Sequence, residues 1–297
     1  MLMKIWQLAR DTIAAFIEDN ALSRGAAIAF YTVISIAPVL VIVVAIAGLA
    51  FGEDAARHAI SGQISGLMGT QTADVLQAAI AGAANRQSGI WATVFGLLTL
   101  FIAASGVFGE MQATLNVIWK AHPMGGTVSQ LIRARTASLG LVAVLGFLLM
   151  VSLVISALVA ALADIINAYL PFGAAILAAL NFVISFAMVA ILFGAIYKIL
   201  PDHKLEWRDV IIGAVATSAM FEVGKSLIGF YIGRTAIGSS YGAAGALLVV
   251  LLWIYYSAQI FLLGAEFTKI YASNFGSDKN HPLVAHASVE ISGADGR

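Results

Sequence analysis

No cysteine occurs anywhere in the 297 residues, so disulfides, thiolate metal sites and cysteine nucleophiles are excluded at once. Charge is nearly as scarce, at 11% of residues, where a soluble domain needs roughly 25% to wet its surface. The charges that exist cancel, 16 basic against 16 acidic, which removes any bulk electrostatic case for nucleic acid. Histidine is down to five positions (His58, His122, His203, His281 and His286), scattered without metal-ligand spacing. No Walker motif, GxSxG elbow or HExxH is present, so ATP-driven pumping and zinc hydrolysis have no support. No cofactor is implied.

What fills the chain instead is apolar: 61% hydrophobic residues and a mean hydropathy of +0.94. A water-soluble enzyme of this composition would expose too much apolar area to stay dispersed. Charge-free runs extend from Gly25 to Gly52, Gln87 to Gly109, Thr136 to Ala163, Ile165 to Tyr197 and Thr235 to Ala265. Each exceeds the roughly 20 residues that cross about 30 Å of hydrocarbon as a helix. A further run, 210–232, is long enough but carries Glu222 and Lys225. The expectation is an all-α polytopic membrane protein with six transmembrane helices, near 26–51, 88–109, 136–163, 173–197, 210–232 and 243–265. Ala45-Ile46-Ala47 imitates a signal-peptide cleavage pattern, but its apolar run is too long, and it reads as a retained span.

Basic residues set the orientation. With the N-terminus inside, the inner segments hold 12 Lys and Arg against Arg57, Arg86 and Arg234 outside, which places both termini in the cytoplasm. Residues 1–24 carry Leu2, Ile5, Trp6, Ala9, Ile13, Phe16 and Ile17 opposite Lys4, Arg10, Asp11, Glu18 and Asp19. That pattern predicts an amphipathic helix lying on the cytoplasmic membrane face, with packing on the protein's own loops as the alternative. The outer loop, 53–88, has a second amphipathic pattern from about Thr72 or Asp74, after a Gly- and Ser-rich stretch that reads as a turn or mobile loop. The transmembrane domain is set at 25–271, and 272–297 reads as a disordered tail.

Several residues inside the apolar runs need explaining. Glu222 and Lys225 are the charges at mid-membrane depth, three apart and so on one helical face. Ionisable groups there cost about 2.5–3.5 kcal/mol each even on lenient insertion scales, and default to functional candidates. A structural ion pair holding helices in register is the competing reading. Pro38 removes the hydrogen bond to the Ile34 carbonyl and predicts a kink or hinge, with Ser35 or Tyr31 available to satisfy the freed group. Trp253, Tyr255, Tyr256, Ser257 and Gln259 fall near the middle of the last span and should face other helices or a cavity. Gly48 with Gly52, and Gly229 with Gly233, have the spacing of close helix contacts. Glu266 and Glu110, at inner helix ends, read as solvated. The candidate substrate or pathway residues are Glu222, Lys225, Tyr31, Ser35, Pro38, Trp253, Tyr256 and Gln259.

Ala26-Ala27-Ile28-Ala29-Phe30-Tyr31 with Ser35-Ile36-Ala37-Pro38, then Leu115-Asn116-Val117-Ile118-Trp119, then Phe221-Glu222-Val223-Gly224-Lys225 follow one another at characteristic spacing. With Tyr231, Tyr241-Gly242, Leu252-Trp253-Ile254-Tyr255 and Leu263-Gly264-Ala265-Glu266, this resembles the YihY/BrkB family of bacterial inner-membrane proteins. The resemblance covers roughly Ile13 to Tyr271 and implies six helices with both termini inside. Members have carried a ribonuclease label, which these residues fit badly, and others a virulence or serum-resistance label. Three functions follow as alternatives: a transporter or lipid and envelope-component translocase, a non-transporting scaffold of an envelope assembly, or a membrane enzyme. The first is favoured, and enzyme activity, including the nuclease, is not expected. The expected partners are membrane lipids and envelope proteins, with no nucleic acid.

Overall fold

A computed structural model of the chain describes residues 2–52, 106–121, 173–234 and 243–280, with scattered positions between 54 and 78 and residues 148 and 151. Regular structure among the described residues is all helical. Five long helices are α1 (Leu2–Glu18), α2 (Ala21–Phe51), α3 (Gly173–Ile199), α4 (Trp207–Arg234) and α5 (Ala243–Phe275), with a further helical stretch at 106–118. Among the described residues, three segments are long and apolar enough to cross a membrane: Ala175–Ile199, Trp207–Tyr231 and Leu247–Phe275. The spans expected at 136–163 and, up to residue 105, at 88–109 lie almost wholly outside the described residues.

α5 is the central element. α4 packs along one side of it and α2 along another, α3 packs on α4, and α1 crosses the C-terminal part of α5. α3 is apolar nearly all round, and leaves Ile176, Leu180, Phe182, Val183 and Ile191 exposed, as a lipid-facing helix does. Phe193 and Tyr197 of α3 meet Phe261 of α5, and Phe193 also meets Phe221 of α4 edge-on at 5.9 Å. That aromatic knot ties three helices together.

The α4–α5 contact is built on glycines facing hydroxyls. A Cβ at Gly213 would stand 1.9 Å from Thr268 Oγ1, and one at Gly264 would stand 2.0 Å from Thr217 Oγ1. Farther along, a Cβ at Gly224 would overlap the Tyr256 hydroxyl at 1.1 Å. Each pair places a residue on α4 opposite one on the antiparallel α5 in nearly constant register. Only hydrogen fits where the partner's side chain comes this close. Thr217 and Thr268 donate their hydroxyl protons to the carbonyls of Gly213 and Gly264 one turn back, so no polar hydrogen is stranded. The glycine spacings picked out in the sequence behave otherwise: Gly52 and Gly229 have no neighbour among the described residues within 4 Å of an added Cβ. Spacing along one helix cannot say which face is covered.

Asn20, with φ 53, turns the chain between α1 and α2, a left-handed position that asparagine tolerates well. Thr12 and Ala15 of α1 are buried and Phe16 is half-buried in the core, while Trp6 (71% exposed), Ile13 and Ile17 face outward. The apolar arc of α1 therefore divides. One part packs on the protein's own helices, and the other stays open. Leu22, Phe30 and Ile34 continue the open stripe along α2.

Asn116 and Trp119 organise the end of the bundle that carries both α1 and the last turn. The Asn116 side-chain amide donates to Asp202 Oδ2 at 2.8 Å, and the Asp202 backbone N–H donates to Asn116 Oδ1 at 2.8 Å. Trp119 is buried and stacks on His203 with centroids 5.4 Å apart and planes 7° apart. His203 Nε2 lies 3.1 Å from Asp278 Oδ2, and Asp209 Oδ2 accepts from the Ser277 N–H and hydroxyl at 3.0 and 2.6 Å. α5 thus continues to Phe275 and a short 3-10 turn, Ser277–Asn280, is fastened beyond it, so order reaches past the boundary expected at 272. Replacing Asn116 with alanine should open this clasp and cost about 1–3 kcal/mol of stability, read as a lower unfolding temperature in detergent.

In the segment expected as the outer loop, the described positions 60–62 and 65 are helical, not a turn, and so are 73–74 and 76–78. Leu76 is buried in a cluster with Ala29, Val250 and Ile254, so this element packs into the bundle alongside α2 and α5.

Candidate functional site

α4 places the two mid-span charges. Counting along Trp207–Tyr231, Glu222 falls three residues past the middle, a displacement of about 4.5 Å at 1.5 Å per residue. Lys225 Nζ lies 2.6 Å from Glu222 Oε2, with the carboxylate side chain 12% exposed and the lysine side chain 33%. Between them Gly224 faces α5, and Tyr256 seats its hydroxyl end on that glycine. The neighbouring Val223 and Leu227 are exposed and apolar. The pair therefore sits on the flank of the α4–α5 contact, close to a face that presents hydrocarbon.

The pair is made within one turn of one helix. A structural role in holding two helices in register would need the charges on different helices, and this arrangement does not supply that. What ties α4 to α5 at this level is Tyr256 on Gly224.

The other candidate residues are dispersed over α2 and α5. Trp253 is buried in the bundle. Gln259 lies across Gly25 of α2, where a Cβ would be 2.1 Å from its Nε2, and that nitrogen donates to the Leu22 carbonyl at 3.4 Å. Its Oε1 is buried without a hydrogen-bond partner among the described residues. Tyr31 turns its ring onto Gly106, where a Cβ would be 3.2 Å from Tyr31 Cδ1. Ser35 is buried, but its hydroxyl donates to the Tyr31 carbonyl at 2.9 Å, so it is committed one turn back and not to the Ile34 carbonyl that Pro38 frees. The α2 helix is continuous through Pro38. Of the eight candidates, Glu222, Lys225 and Tyr256 come together, and Gln259 lies one turn along α5 from Tyr256 on the side toward α2.

A second polar centre was not among the candidates. Glu266, read from sequence as solvated, is 0% exposed. Lys269 Nζ donates to Glu266 Oε2 at 3.2 Å and to Asp19 Oδ2 at 3.1 Å. The error has a physical cause: α1 folds back over this end of α5 and covers a position that would otherwise reach water. The i, i+3 spacing of Glu266 and Lys269 was a local signal, whereas Asp19 joins from 250 residues away. One turn deeper, the Tyr197 hydroxyl donates to the Phe261 carbonyl at 2.7 Å and lies 3.1 Å from Thr217 Oγ1. Among the described residues no group of three or more histidine or acidic side chains is placed to hold a metal ion.

Comparison with known proteins agrees with this architecture. Residues 12–287 match the family model described as Virulence factor BrkB. The chain is similar to a UPF0761 membrane protein of Psychrobacter sp., 27% identical over 93% of this chain and 51% of that protein. It is also similar to UPF0761 membrane proteins of Rhodospirillum centenum, 24% identical over 87% of this chain and 56% of the relative, and of Acinetobacter baylyi, 26% identical over 95% and 66%. The chain thus spans about half to two thirds of the length of these curated relatives. No solved structure matches it.

Proposed function

The chain belongs to the Virulence factor BrkB family of membrane proteins, and from that premise we propose that it is a transporter or translocase of lipids or other envelope components. Its central polar site is formed by Glu222 and Lys225, with Tyr256 beside them. In this reading the protein lies in the bacterial inner membrane with both termini in the cytoplasm, which the 12-to-3 excess of basic residues on that side supports. The open apolar face of α1, with Trp6 at its start, rests on the cytoplasmic leaflet. Lipids are the surrounding partners and envelope proteins the further ones. No catalytic step is assigned.

One observation carries the proposal: an ion pair made inside a single helix, near mid-span, on the flank of a helix contact. Ionised groups at this depth cost several kcal/mol, and a pair that joins no two helices returns little of that to the fold. A polar or charged substrate group passing this level would find a carboxylate and an ammonium already desolvated and ready to exchange partners. The exposed Val223 and Leu227 next to the pair support lateral entry from lipid.

The test is Glu222→Gln, expressed in a host that lacks its own copy. Expected is a loss of at least tenfold in the flux or envelope-barrier function restored by the wild type, at equal membrane insertion. Full activity of this variant would overturn the site.

A further inference from the structure

The bundle end covered by α1 holds two carboxylates and one ammonium in a single contact: Asp19, Glu266 and Lys269. Glu266 is 0% exposed and Lys269 5% exposed, and the Asp19 side chain, at 18%, opens toward the surface. Lys269 spends its ammonium on one oxygen of each acid, leaving Glu266 Oε1 buried with no hydrogen-bond partner among the described residues. Asp19 and Glu266 each place an oxygen on the same Lys269 nitrogen, at 3.1 and 3.2 Å, so the two carboxyl groups are gathered round one ammonium. Two carboxylate groups so placed are both acceptors and repel, and the contact becomes a hydrogen bond only when one of them carries a proton.

We propose that Asp19, Lys269 and Glu266 form a site for one exchangeable proton, held between the two carboxyl groups and reached from water through Asp19. The charge count favours it. With all three groups ionised the buried cluster is at −1; one proton from the aqueous phase brings it to zero, with the new O–H on Glu266 donating to the Asp19 carboxylate. On release that proton returns to water along the same route.

The charged groups facing Glu266 among the described residues are Asp19, from the turn after α1, and Lys269, from its own helix. Arg24, on α2, does not neutralise the cluster: its Nε donates to the Asp19 backbone carbonyl at 3.0 Å and not to the carboxylate. Tyr197, on α3, has its hydroxyl proton committed to the Phe261 carbonyl. The site stands on different residues from the Glu222 pair and does not depend on its role.

The proton-bound state is the matched one, so the cluster's stabilising contribution is present at low pH and is lost as pH rises through the site's titration. The experiment uses the full chain in lipid nanodiscs, with infrared pH-difference spectra and unfolding temperature against pH. The wild type should show a protonated-carboxyl stretch that bleaches on raising the pH, together with a falling unfolding temperature. Glu266→Gln and Asp19→Asn should each abolish that band and flatten the temperature profile, because either leaves one carboxylate matched to one ammonium. A band that persists in both variants overturns the site. A band lost in Glu266→Gln but kept in Asp19→Asn overturns the sharing of the proton between the two acids.

Discussion

Gly264→Leu is expected to lower the stability of the folded chain by about 2–5 kcal/mol, combining overpacking with the loss of a buried hydrogen bond. The new side chain would begin 2.0 Å from Thr217 Oγ1 and 2.6 Å from the Tyr197 hydroxyl oxygen. Both atoms are buried and committed, the tyrosine to the Phe261 carbonyl and the threonine to the Gly213 carbonyl. Neither can retreat without breaking its bond, and Tyr197 is also held in the aromatic knot with Phe193 and Phe261. The control is Gly229→Leu, on the facing helix α4, where no described residue lies within 4 Å of the added Cβ. There the change should stay within about 1 kcal/mol, since only helix propensity and lipid contact differ. Thermal unfolding of both variants in one detergent checks the prediction. Equal shifts would mean that the α4–α5 seam is not where this fold stores its stability.

That contrast also shows what the sequence could and could not disclose. Runs without charge announced helices long enough for a bilayer, because hydrocarbon tolerates no backbone that is not internally bonded. The three long apolar segments therefore coincide with runs legible in the composition. The pairing of glycines was not legible. Gly229 and Gly233 looked like a contact motif, yet Gly213, Gly224 and Gly264 do the packing, since the choice depends on which face the antiparallel partner covers. The amphipathic pattern of residues 1–24 pointed to α1 but not to its double use, with Phe16 turned to the core and Trp6 turned outward.

The candidate site divides along the same line. Glu222 and Lys225 were visible because a charge at mid-span violates the local rule, and a violation needs no tertiary knowledge to detect. Tyr256 could be suspected from its depth, but its seat on Gly224 is a property of register between two helices. The Asp19–Lys269–Glu266 cluster was invisible for the opposite reason. Each of its members lies outside the charge-free runs, where charge is ordinary, and burial arrives only when α1 is laid across α5. Likewise, Leu115-Asn116-Val117-Ile118-Trp119 could be picked out as a recurrent patch. Its use, with Asn116 clasping Asp202 and Trp119 stacked on His203, required the loop between α3 and α4 to be in place.

Lys225→Met isolates what the mid-span pair does. Removing the ammonium leaves Glu222, 12% exposed, without its 2.6 Å partner at a depth where an uncompensated carboxylate costs about 2.5–3.5 kcal/mol. The fold should lose stability on that scale. Adding Glu222→Gln to the same chain removes the unpaired charge and should return most of the stability, because the pair joins no second helix and its removal frees no other described contact except Ser226 on the Glu222 backbone carbonyl, which survives. The double variant is therefore expected to be folded and inactive. Stability and function would then part company, which a purely structural pair does not permit: if its charges served the fold alone, the restored double variant would regain activity along with its unfolding temperature. Unfolding curves and the flux or barrier assay on the three variants decide between those outcomes.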